Sequence, residues 1–208
     1  LAKKDFKHIT NNLTYFNNGV AKPVINEFEK FNVPTFLFAG RLSTQKNILF
    51  SIRSLAKVKS NFHFYLLGDG PERNRIEKLI EDSGLTEKIT LLGWVSREKV
   101  LYYMKRSHIL LMTSLNEGMP IVGLQAYGCG LPIIGTRVSG LKEFIEDKKS
   151  GYLVELNNET ELSSLLEKLA KNINTINKMS AYCKNLAEKK YSWKTVAKNY
   201  LNIINNLL

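Results

Sequence analysis

One stretch of the sequence joins a carboxylate to a helix start that suits an anion. Glu117 directly precedes Gly118, Met119 and Pro120, and the apolar run that begins at Ile121 predicts a helix. A Gly-x-Pro opening leaves the amides of the first helical turn free, so the helix start can bind a phosphate. Glu117 can bond the hydroxyls of a ligand, or it can simply stabilise the helix through its dipole.

A second polar side chain on the same predicted helix indicates how long a ligand this site could span. Gln125 follows Glu117 by eight positions, which corresponds to roughly 12 Å along the helix axis and about 80° around it. Two groups at that spacing can contact opposite ends of one ligand. The pattern suits a diphosphate flanked by a sugar and a ribose, with one side chain on each.

Two cations precede another predicted helix. Arg41 and Lys46 lie in the loop that follows a short apolar strand ending at Gly40. Cationic side chains beside the free amides of a helix start can form a diphosphate site. Surface cations are common, so this loop alone is weak evidence for a phosphate site. The evidence becomes stronger only in combination with the other candidate loops.

Two further loops carry residues that suit a nucleotide. Gly68 and Asp69 open a glycine-rich turn that permits close approach of a ligand, although the same residues also make an ordinary turn. Trp94 and Val95 follow another short apolar run, where an aromatic ring can wall a pocket for a flat base and backbone groups can read its edge. The alternative for Trp94 is a core tryptophan.

Short apolar runs alternate with amphipathic stretches, which is the pattern of βα units that feed a parallel sheet. The predicted strands cover residues 35–40, 63–68, 89–93, 109–114, 132–136 and 151–155. We therefore predict an α/β fold, a Rossmann-like doubly wound parallel sheet of about six strands. The carboxyl ends of such strands meet at one edge, and ligands bind in the loops that follow them.

Helix ends and isolated reactive side chains fit the same fold. Helix caps are predicted at Ser96, at Asn158 with Glu161 in capping-box spacing, and at Ser192, and Gly84 is a predicted helix stop. His63 and His108 begin strands at the edge away from the loops and are predicted to be structural, while Cys129 and Cys183 fit no metal or redox spacing and are predicted to be buried thiols.

Length and net charge restrict the possible classes of protein. A chain of 208 residues, 44% of them hydrophobic, can fill one α/β core. The net charge of +11 suits an anionic ligand, nucleic acid or an acidic membrane. Eight lysines lie between residues 168 and 198, as a solvated basic face or as a contact for anionic lipid. Without a membrane span, an initiator Met or a signal peptide, the sequence predicts a fragment of a cytoplasmic protein, with a peripheral contact at the inner membrane face as the second interpretation.

The ordered motifs resemble the C-terminal domain of the retaining glycosyltransferases of family four, the glycosyltransferase group 1 proteins. The resemblance runs from about residue 18 to residue 194 and is carried by the segments 18–20, 39–46, 68–71, 93–95 and 117–132. It implies the C-terminal half of a GT-B fold, in which the second of two Rossmann-like domains binds the donor nucleotide. Residues 1–17 would be a linker or partial helix from the N-terminal domain, residues 18–191 the nucleotide-sugar domain, and residues 192–208 a helix that packs towards the N-terminal acceptor domain.

The resemblance also implies a role for each candidate residue. Arg41 and Lys46 would hold the diphosphate together with the amides of residues 118–121, and the loop of Trp94 and Val95 would meet the base. Glu117 matches the first of two family glutamates and would contact the sugar hydroxyls. The second glutamate, which usually holds the ribose, is Gln125 in this sequence, and a neutral amide still bonds a hydroxyl with less charge-assisted strength.

The implied activity is retaining transfer from a nucleotide-sugar donor, in the synthesis of a cell-surface polysaccharide or glycolipid. No Asp-x-Asp triplet is present, so we expect no metal ion and no cofactor, with the cations and the helix start stabilising the leaving diphosphate. A sugar-nucleotide epimerase or a phosphorylase-like enzyme of the same fold is one alternative, but it would need acid and base groups around the sugar. A nucleic-acid-binding module is another, but it would need cations interleaved with exposed aromatics, so we expect no nucleic acid partner.

Overall fold

Six parallel strands form one sheet in the computed structural model, which describes residues 18–20 and 29–207. The strands are β1 (Thr35–Ala39), β2 (His63–Leu67), β3 (Ile89–Gly93), β4 (Ile109–Met112), β5 (Ile133–Thr136) and β6 (Gly151–Val154). Their order is β3-β2-β1-β4-β5-β6, and every neighbouring pair is parallel. The predicted α/β, Rossmann-like doubly wound sheet is confirmed. The direction of winding reverses between β1 and β4, where ligands bind in open sheets of this kind.

Helices cover both faces of the sheet. They are α1 (Ile48–Leu55), α2 (Arg73–Asp82), α3 (Arg97–Arg106), α4 (Ile121–Gly128), α5 (Ser139–Phe144), α6 (Glu159–Ala170), α7 (Ile173–Lys189) and α8 (Trp193–Leu207). Successive residues of a strand point to opposite faces, so Phe36 and Phe38 enter one core cluster while Leu37 enters the other. Burial on both faces explains why the strands read as continuous apolar runs in the sequence.

Four of the six strands end one or two residues earlier than the sequence predicts, whereas β3 and β5 end where predicted. The largest difference is at β4, which was predicted over residues 109–114 and ends at Met112. Thr113 and Ser114 remain buried, but the hydroxyl of Thr113 bonds to the carbonyl of Lys46 and to Ser51 on α1, and that of Ser114 bonds to Glu117. Apolar periodicity alone cannot separate a buried strand residue from a buried loop residue that follows it.

The predicted helix ends agree with the structure except at one contact. Ser96 accepts a hydrogen bond from the amide of Lys99, Asn158 from that of Glu161 and Ser192 from that of Thr195. The reciprocal half of the capping box differs, because the Glu161 carboxylate accepts from the amide of Glu155 and not from Asn158. Gly84 adopts φ +65 directly after Ser83, the C-cap of α2, in agreement with its predicted role as a helix stop.

The last helix, α8, leaves most of its apolar stripe uncovered. Val196 is buried, whereas Trp193, Tyr200, Leu201 and Ile204 are exposed. The packing of residues 192–208 against an N-terminal domain stays a prediction, and the predicted linker at residues 1–17 lies outside the described residues. Within the described part of the chain, no helix combines the length and apolar character that crossing a bilayer requires.

Both described histidines at the amino edge of the sheet have structural partners, as predicted. His108 is buried and accepts the amide hydrogen of Thr35 at its Nδ1, at 3.0 Å. His63 lies 2.9 Å from the hydroxyl of Thr90. The two cysteines, Cys129 and Cys183, are free and buried, and burial raises the pKa of Cys129 to about 11. The prediction of buried thiols is therefore confirmed.

Acidification is expected to destabilise the fold through His108. Burial, reinforced by the charge of Lys30, lowers the pKa of His108 from 6.5 to about 4. Between pH 6.5 and about 4, His108 is therefore protonated in the unfolded chain but neutral in the folded chain. The free energy of unfolding consequently decreases as the pH falls through this range. The expected loss in the free energy of unfolding is about 3 kcal/mol, measured by urea denaturation at several pH values.

The variant His108→Asn isolates this effect. Its amide oxygen can still accept from the amide of Thr35, but it does not titrate, so its stability should depend less on pH between 6.5 and 4. Equal pH dependence in the two proteins would show that other groups control the acid transition.

Candidate active site

Hydrogen bonds join the loops that follow β1, β2 and β3. The amide of Leu42 donates to the carbonyl of Asp69 at 2.9 Å, and the amide of Gly68 donates to that of Gly93 at 2.8 Å. Gly68 has φ +127, and a Cβ at this position would overlap the carbonyl oxygen of Gly40. Close backbone approach therefore explains this glycine, and the three predicted loops lie side by side.

Lys46 and Glu117 meet at the point where the sheet reverses its winding. The Lys46 Nζ forms an ion pair and hydrogen bond with Oε1 of Glu117. The hydroxyl of Ser114 donates to the same oxygen at 2.9 Å. The side chains of Lys46 and Glu117 are 24% and 10% exposed, so the pair is largely shielded from water. Two residues that are 71 positions apart thus form one ion pair, and both side chains remain partly exposed.

Two further hydrogen bonds fasten the loop after β4 to the loop after β1. The amide of Leu115 donates to the carbonyl of Gln45 at 2.8 Å, and the Gln45 side chain donates to the carbonyl of Asn116 at 3.0 Å. Gln45 precedes Lys46, and Asn116 precedes Glu117. The backbone on each side of the ion pair is therefore connected as well as the side chains.

The end of β5 and the first turn of α5 support the turn that carries Glu117. The hydroxyl of Thr136 donates to the carbonyl of Ser114, and the amide of Gly140 donates to the carbonyl of Glu117 at 3.1 Å. A Cβ at Gly140 would overlap the carbonyl oxygens of Glu117 and Gly118. Both ends of the Ser114 to Glu117 turn are thus fixed from the neighbouring strand connection.

Gly140→Ala is expected to lower the free energy of unfolding by about 1–3 kcal/mol, because the new methyl group must displace the backbone of the Glu117 turn. Thermal and urea unfolding would measure the loss. Gly118→Ala is the matched control, since a Cβ there meets no heavy atom of the described residues within 4 Å. Equal stability of the Gly140→Ala variant and the wild type would show that the turn moves without cost.

The start of α4 is open, as a bound anion requires. Pro120 is its N-cap and forms no side-chain cap hydrogen bond. The first amides of a helix have no intrahelical acceptor, so those that follow Pro120 remain available. Gly118, Met119 and Ile121 are exposed around this helix start, whereas Pro120 is buried. Anion binding at this turn stays a prediction.

The remaining predicted residues lie at the same edge without joining the Lys46 and Glu117 pair. Arg41 is exposed in the loop that contains Lys46, and Gln125 is partly exposed in the second turn of α4. Trp94 is 73% exposed, so the alternative of a core tryptophan is wrong. Val95 is partly buried and packs against the core. The tryptophan ring is therefore free to contact a ligand.

Asp69 is held by Arg73, a residue that was not among the predicted site residues. Its carboxylate accepts from the amide of Gly70 at 2.7 Å and from Arg73 at 3.0 Å. Arg73 also donates to Glu77 at 2.8 Å. Arg73 and Glu77 lie four positions apart on α2, where side chains at this spacing meet on one helical face, and this spacing is a signal that could have found Arg73. These contacts consequently hold the Asp69 carboxylate in one orientation.

The roles of Ser114, Gln45 and Gly140 also escaped prediction from sequence. Ser114 had a local signal, because it stands three positions before Glu117. The contacts of Gln45 and Gly140 join distant parts of the chain and have no such signal. Among the residues that the structure describes, no three His, Cys, Asp or Glu side chains group as a metal site would require, and independence of metal remains a prediction.

The loops that carry the predicted residues meet at the switch point of a Rossmann-like sheet, and comparison with known proteins specifies the family. The profile described as "Glycosyl transferases group 1" matches residues 23–189. The chain belongs to this family.

Individual relatives agree with this assignment. An uncharacterized glycosyltransferase of Methanocaldococcus jannaschii is 30% identical over 188 residues, which are 90% of this chain and 52% of that protein. The UDP-Gal:alpha-D-GlcNAc-diphosphoundecaprenol alpha-1,3-galactosyltransferase of Escherichia coli is 30% identical over 162 residues, 75% of this chain and 41% of its own length. The chain thus spans about half the length of these relatives.

The fold also matches solved structures. A crystal structure of a variant of S. aureus TarM in complex with fondaparinux, alpha-GlcNAc-glycerol and UDP superposes with a TM-score of 0.84 at 21% sequence identity. The match covers 99% of this chain and 43% of the other. The GT-B type of Rossmann-like domain implied by the sequence motifs is therefore confirmed.

Proposed function

We propose that this chain binds the nucleoside diphosphate sugar of a retaining glycosyltransferase. Lys46 and Arg41, together with the open amides of α4, contact the diphosphate, and Glu117 contacts the sugar hydroxyls. The exposed ring of Trp94 contacts the base, and Gln125 bonds the ribose. UDP is the first nucleotide to test, since it is bound in the S. aureus structure and the E. coli relative is named for a UDP-sugar.

The ion pair of Lys46 and Glu117 is the observation that carries this proposal. It brings together a cation and a carboxylate, each largely shielded, beside a helix start whose N-cap, Pro120, forms no side-chain hydrogen bond. A phosphate needs the cation and the amides, whereas a polyol needs the carboxylate. A nucleotide sugar presents both groups within one molecule, and the position agrees with the ligand edge of this fold.

The proposed reaction assigns electrostatic and orienting roles to these residues. The bond between the anomeric carbon and the phosphate oxygen breaks, and the acceptor oxygen bonds to that carbon on the same face. The departing phosphate takes the acceptor proton, and Lys46, Arg41 and the helix amides stabilise its charge. Glu117 orients the sugar for attack. No metal ion is required, because the cations and amides supply the positive potential.

We place the acceptor site outside the described residues. In this proposal an N-terminal domain of the same protein supplies the acceptor site, and the exposed stripe of α8 packs towards it. The lysines between residues 168 and 198 are all exposed, which suits a peripheral contact with an anionic membrane. The acceptor would then be a surface glycan or a glycolipid precursor made on the cytoplasmic side.

The test is a calorimetric titration of the 208-residue chain with UDP, GDP and ADP. We expect one of these nucleotides to bind more tightly than the others, with an affinity that EDTA leaves unchanged. Loss of binding in EDTA and its recovery with Mg²⁺ or Mn²⁺ would replace the proposed charge stabilisation with a metal-dependent one. A chain that binds none of the three nucleotides would contradict the proposed function.

A further inference from the structure

The turn that carries Lys46 needs support from outside itself. Thr44–Lys46 is a single turn of 3-10 helix, and the next residue, Asn47, has φ 50 and ψ 43. This left-handed conformation is uncommon for any residue with a side chain, although asparagine adopts it more readily than most. Such a backbone persists only where its surroundings determine it. The position of Lys46 therefore depends on contacts made by other elements.

The hydroxyl of Thr113 supplies one such contact, from directly beyond the end of β4. Its Oγ1 lies 3.3 Å from the carbonyl oxygen of Lys46 and 3.2 Å from that of Asn47. It also lies 2.8 Å from the hydroxyl oxygen of Ser51, on α1. One side chain thus touches both peptide carbonyls that flank the strained residue.

Burial favours one direction for this chain of hydrogen bonds. Thr113 and Ser51 are 1% and 2% exposed, so their hydroxyls exchange little with water. If Ser51 donates to Thr113, then Thr113 donates onward to the carbonyls of Lys46 and Asn47, and both protons are used. Buried hydroxyls are costly when they lack a partner. Ser51 therefore orients Thr113 towards the Lys46 turn.

Adjacent residues of one strand end hold the two ends of Lys46. Thr113 contacts its backbone, and Ser114 fixes the Glu117 carboxylate that pairs with its Nζ. We propose that Thr113, supported by Ser51, is a positioning residue that places Lys46 for the diphosphate, an inference that rests on the proposed function. Thr113 itself is buried behind the turn and acts on the ligand only through Lys46.

The test compares UDP binding by calorimetry in Thr113→Val, Thr113→Ser and the wild type. Valine keeps the shape and removes the hydroxyl, so the affinity should fall about three- to tenfold, as for the loss of a neutral hydrogen bond. Serine keeps the hydroxyl and should restore the affinity to within about twofold of the wild type. Ser51→Ala provides a second variant, with a smaller loss expected, should Thr113→Val fail to fold.

A double-mutant cycle separates positioning from general damage. In a Lys46→Ala background, Thr113→Val should cause no further loss of UDP affinity, because its effect passes through Lys46. An equal loss in both backgrounds, or wild-type affinity in both Thr113→Val and Ser51→Ala, would overturn the inference. UDP binding that responds to Lys46→Ala but to neither hydroxyl variant overturns only this role, whereas a wild type that binds no nucleotide overturns the proposed function as well.

Discussion

Replacing Lys46 with alanine is expected to weaken UDP binding about 10- to 100-fold, the effect of removing a charged hydrogen bond to a phosphate. The Lys46 side chain is only 24% exposed, so in the variant water compensates poorly for the lost contact with the phosphate. The variant also leaves Glu117, 10% exposed, facing the incoming phosphate without its cation. Titration calorimetry with UDP measures the change, and thermal unfolding reports any accompanying loss of stability.

A matched lysine separates this contact from the general charge of the protein. Lys59 is exposed and lies between α1 and β2, at the opposite edge of the sheet. Lys59→Ala removes the same unit of charge and should change UDP affinity less than about twofold at physiological salt, where distant surface charges are screened. Similar losses in the two variants would mean that UDP responds to net charge and not to a site at Lys46.

Glu117→Gln is expected to separate the sugar from the nucleotide. If Glu117 contacts the sugar hydroxyls, the affinity for the UDP-sugar that the wild type binds should fall about tenfold, because a charge-assisted hydrogen bond becomes a neutral one. The affinity for UDP should stay equal or rise, since Lys46 loses its internal counter-ion. Calorimetry with UDP and with UDP-sugars gives the ratio of the two dissociation constants for each variant.

The control for this carboxylate is Glu155→Gln. Glu155 pairs with Arg137 at 2.7 Å but is 61% exposed, so its substitution should leave both ligands unaffected. If Glu117→Gln instead lowered stability and left the ratio of dissociation constants unchanged, Glu117 would serve only as a residue at a helix start. That result would support the alternative stated for it from the sequence.

Local patterns in the sequence determined the class of fold and the set of loops to search. Strand and helix positions follow from periodicity, and caps such as Ser96 and Ser192 follow from short-range hydrogen bonds that involve only neighbouring residues. The parallel sheet followed from alternation of the two element types, and the ligand edge followed from the sheet. The order of the motifs along the chain was sufficient to identify the family.

Only the tertiary structure decided which side chains touch and which are exposed. The pairing of Lys46 with Glu117 joins the loops after two adjacent strands, and its geometry depends on the order β1-β4 in the sheet. Trp94 was equally compatible with core and surface, because exposure depends on what covers a residue and not on its own type. Thr113 and Gly140 act on backbone groups that are far away in sequence. Contacts of this kind are set by packing between elements, and they leave no regular spacing along the chain.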